Sequence, residues 1–377
     1  MGEKFVGLGI ILLWCGIAAA QHPTAADAIS LQQQGRLPEA EMAWRAVVAE
    51  NPKDAAAFAS LGVVLSKEQK YSQAAAAYKK ALAVNPALPG IQLNLGLAEF
   101  KRGRFAASIT PLKAALERDP TNSQARALLG MSCYGATRFA EAITYLQPLV
   151  EADPDNAELR QVLAQSCLAA RNYSCAEVQF RKILEKNPDS VPAHVLTGEA
   201  LDGLKRTNEA ITEFQKAVQL SPREPDLHFG LGYLYWKLQQ YDQAKTEFEA
   251  ELSISPTHAR ALAYLGDIEL KREHISAAAE LLEKSIHQSR DVRIASMDLG
   301  EIRNQQKNYA AAIEAYRHAI QLDPNQPDAH YSLGRIYQAM KNTAAAKSEF
   351  EKARQLHEQS NDSAVLQLKP APTSPPK

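Results

Sequence analysis

The chain lacks an excess of either charge. Lys plus Arg number 42 against 43 for Asp plus Glu, a formal net charge of −1, and no run of basic residues gathers along it. Neutralising phosphates takes a basic surface, so no nucleic-acid partner is expected. The signatures of common chemistry are missing too. There is no GxxxxGK[ST] loop and no HExxH, and the nine histidines show no zinc spacing. Gly230-Leu231-Gly232 has no strand before it. Gly130-Met131-Ser132-Cys133-Tyr134-Gly135 misses a nucleophile elbow because its second glycine comes one residue late, and Ser132 falls inside an expected helix. These absences predict a non-enzymatic chain with no catalytic residue, metal or cofactor. Aromatic residues make up only 7%, and no stretch alternates at period two for long enough to argue for a sheet.

What is present is a beat. Prolines stand at 52, 86, 120, 154, 188, 222, 256 and 324, with Arg290 at the one missed step, a period of 34 residues. Asn, Asp or Ser precedes each of these prolines. Proline disfavours helix in the residue before it, and these three residue types favour turns and caps. With each unit started 31 residues before its proline, position 8 is always Gly or Ala, from Ala28, Gly62 and Gly96 to Gly334. Position 20 is Ala or, once, Ser108, whereas position 24 is always large: Trp44, Tyr78, Leu112, Leu146, Phe180, Phe214, Phe248, Leu282, Tyr316 and Phe350. Glycine inside a helix costs about 1 kcal/mol relative to alanine, so its recurrence at one phase needs a packing reason. A large side chain set into a hole left by small ones supplies it.

This pattern resembles the tetratricopeptide repeat family. The seventh unit carries it as Leu231-Gly232, Tyr235, Ala244, Phe248 and Pro256, and the tenth as Leu333-Gly334, Tyr337, Ala346 and Phe350. The resemblance spans about ten repeats over residues 21–358. It implies an all-α, right-handed superhelical solenoid of antiparallel helix pairs whose first helices line a groove for protein partners, as a peptide or a helix. In that family the groove stripe comes from positions 2, 5, 9 and 12. Here it offers Leu93, Leu97, Phe100, Met131 and Tyr134, then Phe229, Tyr233 and Trp236, with Tyr331 and Arg335 toward the end. Apolar side chains on a face that should be wet point to a partner. The family's carboxylate-gripping residues have no match, since Ala59, Val63, Gln124 and Leu128 stand at the corresponding positions and only Asn94 has a suitable type. Acidic chaperone tails are therefore not expected. His228 and His330 are read as packing residues.

The ends differ from the array. Residues 1–20 read as a signal peptide: Lys4 precedes an uncharged run from Phe5 to Ala20 that closes on three alanines. The run is too short to span a bilayer comfortably, so cleavage near Ala20 and export are expected, to the periplasm or the outside. A retained N-terminal membrane anchor is the alternative; a lipid-modified Cys15 has the wrong neighbour in Trp14. Export makes a disulfide possible between Cys167 and Cys175, which flank one hairpin turn. Residues 359–377 read as a flexible proline-rich tail. Function is expected as an exported scaffold binding proteins, with cell-envelope assembly as its setting. The competing expectation is a carrier for a polysaccharide or other polymer. Oligomeric state is not legible in the sequence.

Overall fold

The computed structural model describes residues 22–368, with side chains through residue 359. Over that range the chain is helical, with no strand among the described residues, and it forms two compact units that divide between residues 170 and 171. In the first unit the helices are α1 (Ala25–Gln33), α2 (Leu37–Glu50), α3 (Ala55–Lys67), α4 (Tyr71–Val84), α5 (Ile91–Lys101), α6 (Phe105–Arg118), α7 (Ser123–Gly135), α8 (Phe139–Ala152) and α9 (Ala157–Ala169). The second unit holds α10 (Tyr173–Lys186), α11 (Val191–Gly203), α12 (Thr207–Leu220), α13 (Leu227–Lys237), α14 (Tyr241–Ile254), α15 (Ala259–Lys271) and α16 (Ile275–Gln288). It continues through α17 (Arg293–Gln305), α18 (Tyr309–Leu322), α19 (Pro327–Ala339) and α20 (Thr343–Leu368). Within each unit consecutive helices pair as hairpins at the expected period. The last helix reaches Leu368, past the boundary expected at 358, because no proline interrupts it before Pro370.

The small-against-large lock is confirmed. A Cβ added to Gly62 would lie 2.4 Å from the ring of Tyr78, and one on Gly232 would lie 2.8 Å from that of Phe248. The other helical glycines at position 8 meet position 24 of their own hairpin in the same way. Tyr78 and Phe248 are buried. Each hairpin thus closes on itself before it meets a neighbour.

Turns inside and between the repeats follow their own rules. Position 15 adopts positive φ in every repeat, between 57° and 74°, yet only Gly35 and Gly103 there are glycine; the others include Gln69, Thr137, Lys205 and Lys341. The next residue's N–H returns to the carbonyl of position 11, as from Lys70 to Leu65 at 2.8 Å. That closes the first helix in a Schellman turn. Between repeats, side chains of Asn85, Asp119, Asp153 and Asp323 accept the N–H two residues on. Ser289 accepts from Asp291 at 3.2 Å in the same phase, so the joint at Arg290 keeps its turn without a proline.

Position 4 shows a device the sequence did not announce. Arg126 donates to the Pro120 carbonyl and Arg160 to that of Pro154, each at 2.7 Å. His194 Nε2 does the same to Pro188 at 2.8 Å and His228 to Pro222 at 3.1 Å. The other ring nitrogen of each histidine lies 2.6 Å from a glutamate of the following helix, Glu213 or Glu247, and His330 pairs likewise with Glu349. His228 and His330, read from their position as packing residues, are thus hydrogen-bonded as well as largely buried. At α13 the helix start is tied differently: fully buried Glu251 accepts the N–H groups of Asp226 and Phe229 at 3.0 and 3.1 Å. A carboxylate suits the orphan donors and positive end of a helix N-terminus.

Candidate binding surface on the first helices

Within each unit the first helices of successive repeats touch, α3 with α5, α5 with α7 and α7 with α9, then α13 with α15 and α15 with α17. Their shared face is where the expected stripe falls. In the first unit Leu93, Leu97, Phe100, Met131 and Tyr134 are all partly buried. Phe100 meets Phe105 edge-on at 5.4 Å, and Tyr134 tilts against Phe139 at 5.9 Å. The Tyr134 hydroxyl donates to Gln165 on α9 at 2.9 Å. Much of this apolar surface is already engaged by the chain itself.

The second unit concentrates aromatic rings. Tyr233 stacks on Trp236 at 6.0 Å, and Tyr264 of α15 meets both edge-on, at 5.5 and 4.9 Å. Trp236 Nε1 donates to Asp267 Oδ2 at 2.6 Å, so position 12 of one repeat grips position 9 of the next. Cations sit over the rings: Arg260 lies 4.4 Å from the Phe229 centroid, Lys237 5.9 Å from Tyr233 and Lys271 5.8 Å from Trp236. Phe229 itself requires a correction. It is buried against Phe248, His258 and Tyr264, and belongs to the core rather than to an open face. Tyr331 and Arg335 are exposed on α19, where Tyr331 leans on Phe350 at 5.6 Å. They are not part of the Trp236 cluster.

Two participants escaped the sequence reading, Tyr264 and Asp298, both at position 6. The face in α15 runs through Arg260, Tyr264, Asp267 and Lys271, at steps of four, three and four, rather than through positions 5 and 12. Burial pushes the Tyr264 hydroxyl up to about 12, with Tyr233 and Asp267 adding to it. Asp298 on α17 is held well above the usual carboxylate range, first by burial and then by the charge of Asp267. Its Oδ2 has no hydrogen-bond partner.

The chemistry these groups can do is stacking, ion pairing and hydrogen bonding. Ser132 is buried, donating to the Leu128 carbonyl at 2.6 Å and accepting from Ser108 at 2.7 Å, which makes it structural. Among the described residues no three His, Cys, Asp or Glu side chains are placed to hold a metal ion. No helix among them is long and apolar enough to cross a membrane.

Comparison with known proteins agrees with this geometry. A tetratricopeptide repeat model matches residues 25–90, 61–123, 93–157 and 229–291. Others match 134–200 and 327–356, and a TPR repeat model matches 204–239 and 300–341. The crystal structure of the APC/C hetero-tetramer Cut9-Hcn1 is similar at a TM-score of 0.52 and 16% identity, over 88% of this chain and 79% of that one. PilF of Pseudomonas aeruginosa aligns at 0.48 and 20% identity over 56% of this chain and 96% of its own. YrrB, described as a TPR protein with an unusual peptide-binding site, aligns at 0.37 and 21% over 47% and 91%. A search of curated proteins returns no match. With one repeat model alone covering more than half of its length, the chain belongs to the tetratricopeptide repeat family.

Proposed function

We propose that this chain is a non-enzymatic scaffold that takes a polypeptide segment of a partner along the first-helix face of its second unit. The observation that carries this is the half-buried pair Tyr233 and Trp236, flanked by Tyr264 and Asp267 on the next repeat. Aromatic side chains with one polar handle are the usual anchors of protein interfaces. Export through cleavage near Ala20, and a role in assembling cell-envelope structures, belong to the same proposal and rest on the character of residues 1–20, which lie outside the described residues. A glycan carrier is the second reading, because stacked Tyr233 and Trp236 could also receive sugar rings.

Photo-crosslinking in the native cell tests the assignment. A photoreactive residue replacing Tyr233 should capture polypeptide, whereas one replacing exposed Thr246 on α14 should not. Adducts that carry glycan would transfer the site to the second reading. Equal capture from both positions would remove the first-helix face from consideration.

A further inference from the structure

Among the described residues of the second unit five carboxylates are buried, and four have partners supplied by the chain. Glu213 pairs with His194, Glu251 caps α13, Glu269 holds Lys245 and His274, and Asp267 takes Trp236 and Lys271. The fifth is Asp298. It is 9% exposed, and its Oδ2 meets no donor. A buried carboxylate oxygen left unpaired is costly, and its presence calls for an explanation such as an external partner. Its neighbours sharpen the case. Glu301 follows Asp298 at i+3 on α17, the helix that packs against α15 with its Asp267, and Lys271 is already bonded to Asp267. Asp298 lies on α17, which packs against both α15 and α18. The Trp236 ring stands beside Asp267, its partner, and already attracts Lys271.

We propose that Asp298, with Asp267 and Glu301, seats an arginine side chain of the bound polypeptide, its guanidinium lying against Trp236 and Tyr264. Arginine fits better than lysine because a planar fork can satisfy two carboxylates at once while stacking on a ring, and it sheds water more readily than an ammonium. A metal ion fits less well, since these carboxylates do not converge as a metal-holding group. The proposal rests on the polypeptide-binding reading above and specifies what that segment must carry.

The test uses the full chain and a random library of displayed 12-residue peptides. Selection should enrich arginine, and the best peptide should weaken at least tenfold when its arginine is replaced by citrulline, the neutral isostere. Asp298→Asn should erase the gap between the arginine and citrulline forms. Glu301→Gln, on the exposed rim, should narrow it severalfold, and exposed Asp242→Asn should leave it unchanged. If Asp298→Asn does not fold, the citrulline comparison on the unaltered chain and the Glu301→Gln variant decide the matter. Peptides that require Trp236 but tolerate citrulline would overturn the arginine seat while keeping the polypeptide-binding reading. Failure to select any peptide dependent on Trp236 would overturn both. An Asp298→Asn variant that loses both peptide forms equally would make the residue structural, and the seat would fall.

Discussion

At Gly232 a methyl group would press to 2.8 Å from two ring carbons of Phe248, a side chain with no exposed surface. Neither partner can yield without moving a helix, so Gly232→Ala should destabilise the second unit by about 1–3 kcal/mol despite its better helix propensity. Urea melts of the purified chain measure this, and a neutral or stabilising result would contradict the lock. Asp298 behaves in the opposite sense. Its folded carboxyl is held above the unfolded value of 3.8. The folded state therefore binds more protons than the unfolded one once pH climbs above about 4, and stability falls as pH rises toward the folded value. Asp298→Asn removes that slope, so its stability relative to the parent should grow as pH rises above about 4 toward the raised folded value. A constant difference across that range would contradict the burial argument. At this scale the sequence was legible wherever one phase repeats. Gly232 and Phe248 announce each other. Asp298 does not, because its neighbours Asp267 and Tyr264 come from another repeat and position 6 has no fixed residue type.

The helix ends tell a different story about what can be read. Proline spacing located the turns between repeats, and Ser289 shows why the one missing proline is harmless: its side chain makes the bond that Asp119 and Asp323 make elsewhere. The left-handed turn within each hairpin left little trace, since Gln69, Thr137, Lys205 and Glu273 occupy a conformation usually given to glycine. Hairpin closure and the Schellman bond impose it against local preference. Thr137 is the most strained of these by type, being β-branched at φ 58°. Thr137→Gly should therefore stabilise the first unit by about 1 kcal/mol, the relief of left-handed strain exceeding the lost chain entropy. Thermal denaturation reads this directly, and a drop in the midpoint would show that the threonine is not strained. The clasps at position 4 were hidden for a related reason. Arg126, Arg160, His194 and His228 differ in type yet reach the same carbonyl, so only their length and donor are held in common.

For the molecule as a whole, periodicity revealed the fold class almost completely, because a repeated hairpin offers its evidence many times over. The proposed face was legible only in outline. Tyr233 and Trp236 stand half-buried on α13, while Phe229 lies in the core, since a stripe drawn on an ideal helix ignores how far the next repeat overlaps it. Export and the Cys167–Cys175 bond remain proposals with a joint test. Intact mass should begin at Gln21, and denatured, unreduced protein should titrate a single thiol, that of Cys133, which is buried and free in the folded chain. A retained N-terminus would add Cys15, and three thiols in the processed chain would exclude the bond.

The lock between positions 8 and 24 carries a last implication. Since every hairpin repeats one set of addresses, adding or deleting a whole period inside a unit leaves each remaining address beside its proper match. Inserting a single residue in a first helix turns everything after it by about 100° and sets each glycine hollow against the wrong face. Such an array should grow and shrink through evolution in full modules, and tolerate slippage of one residue only in the joints.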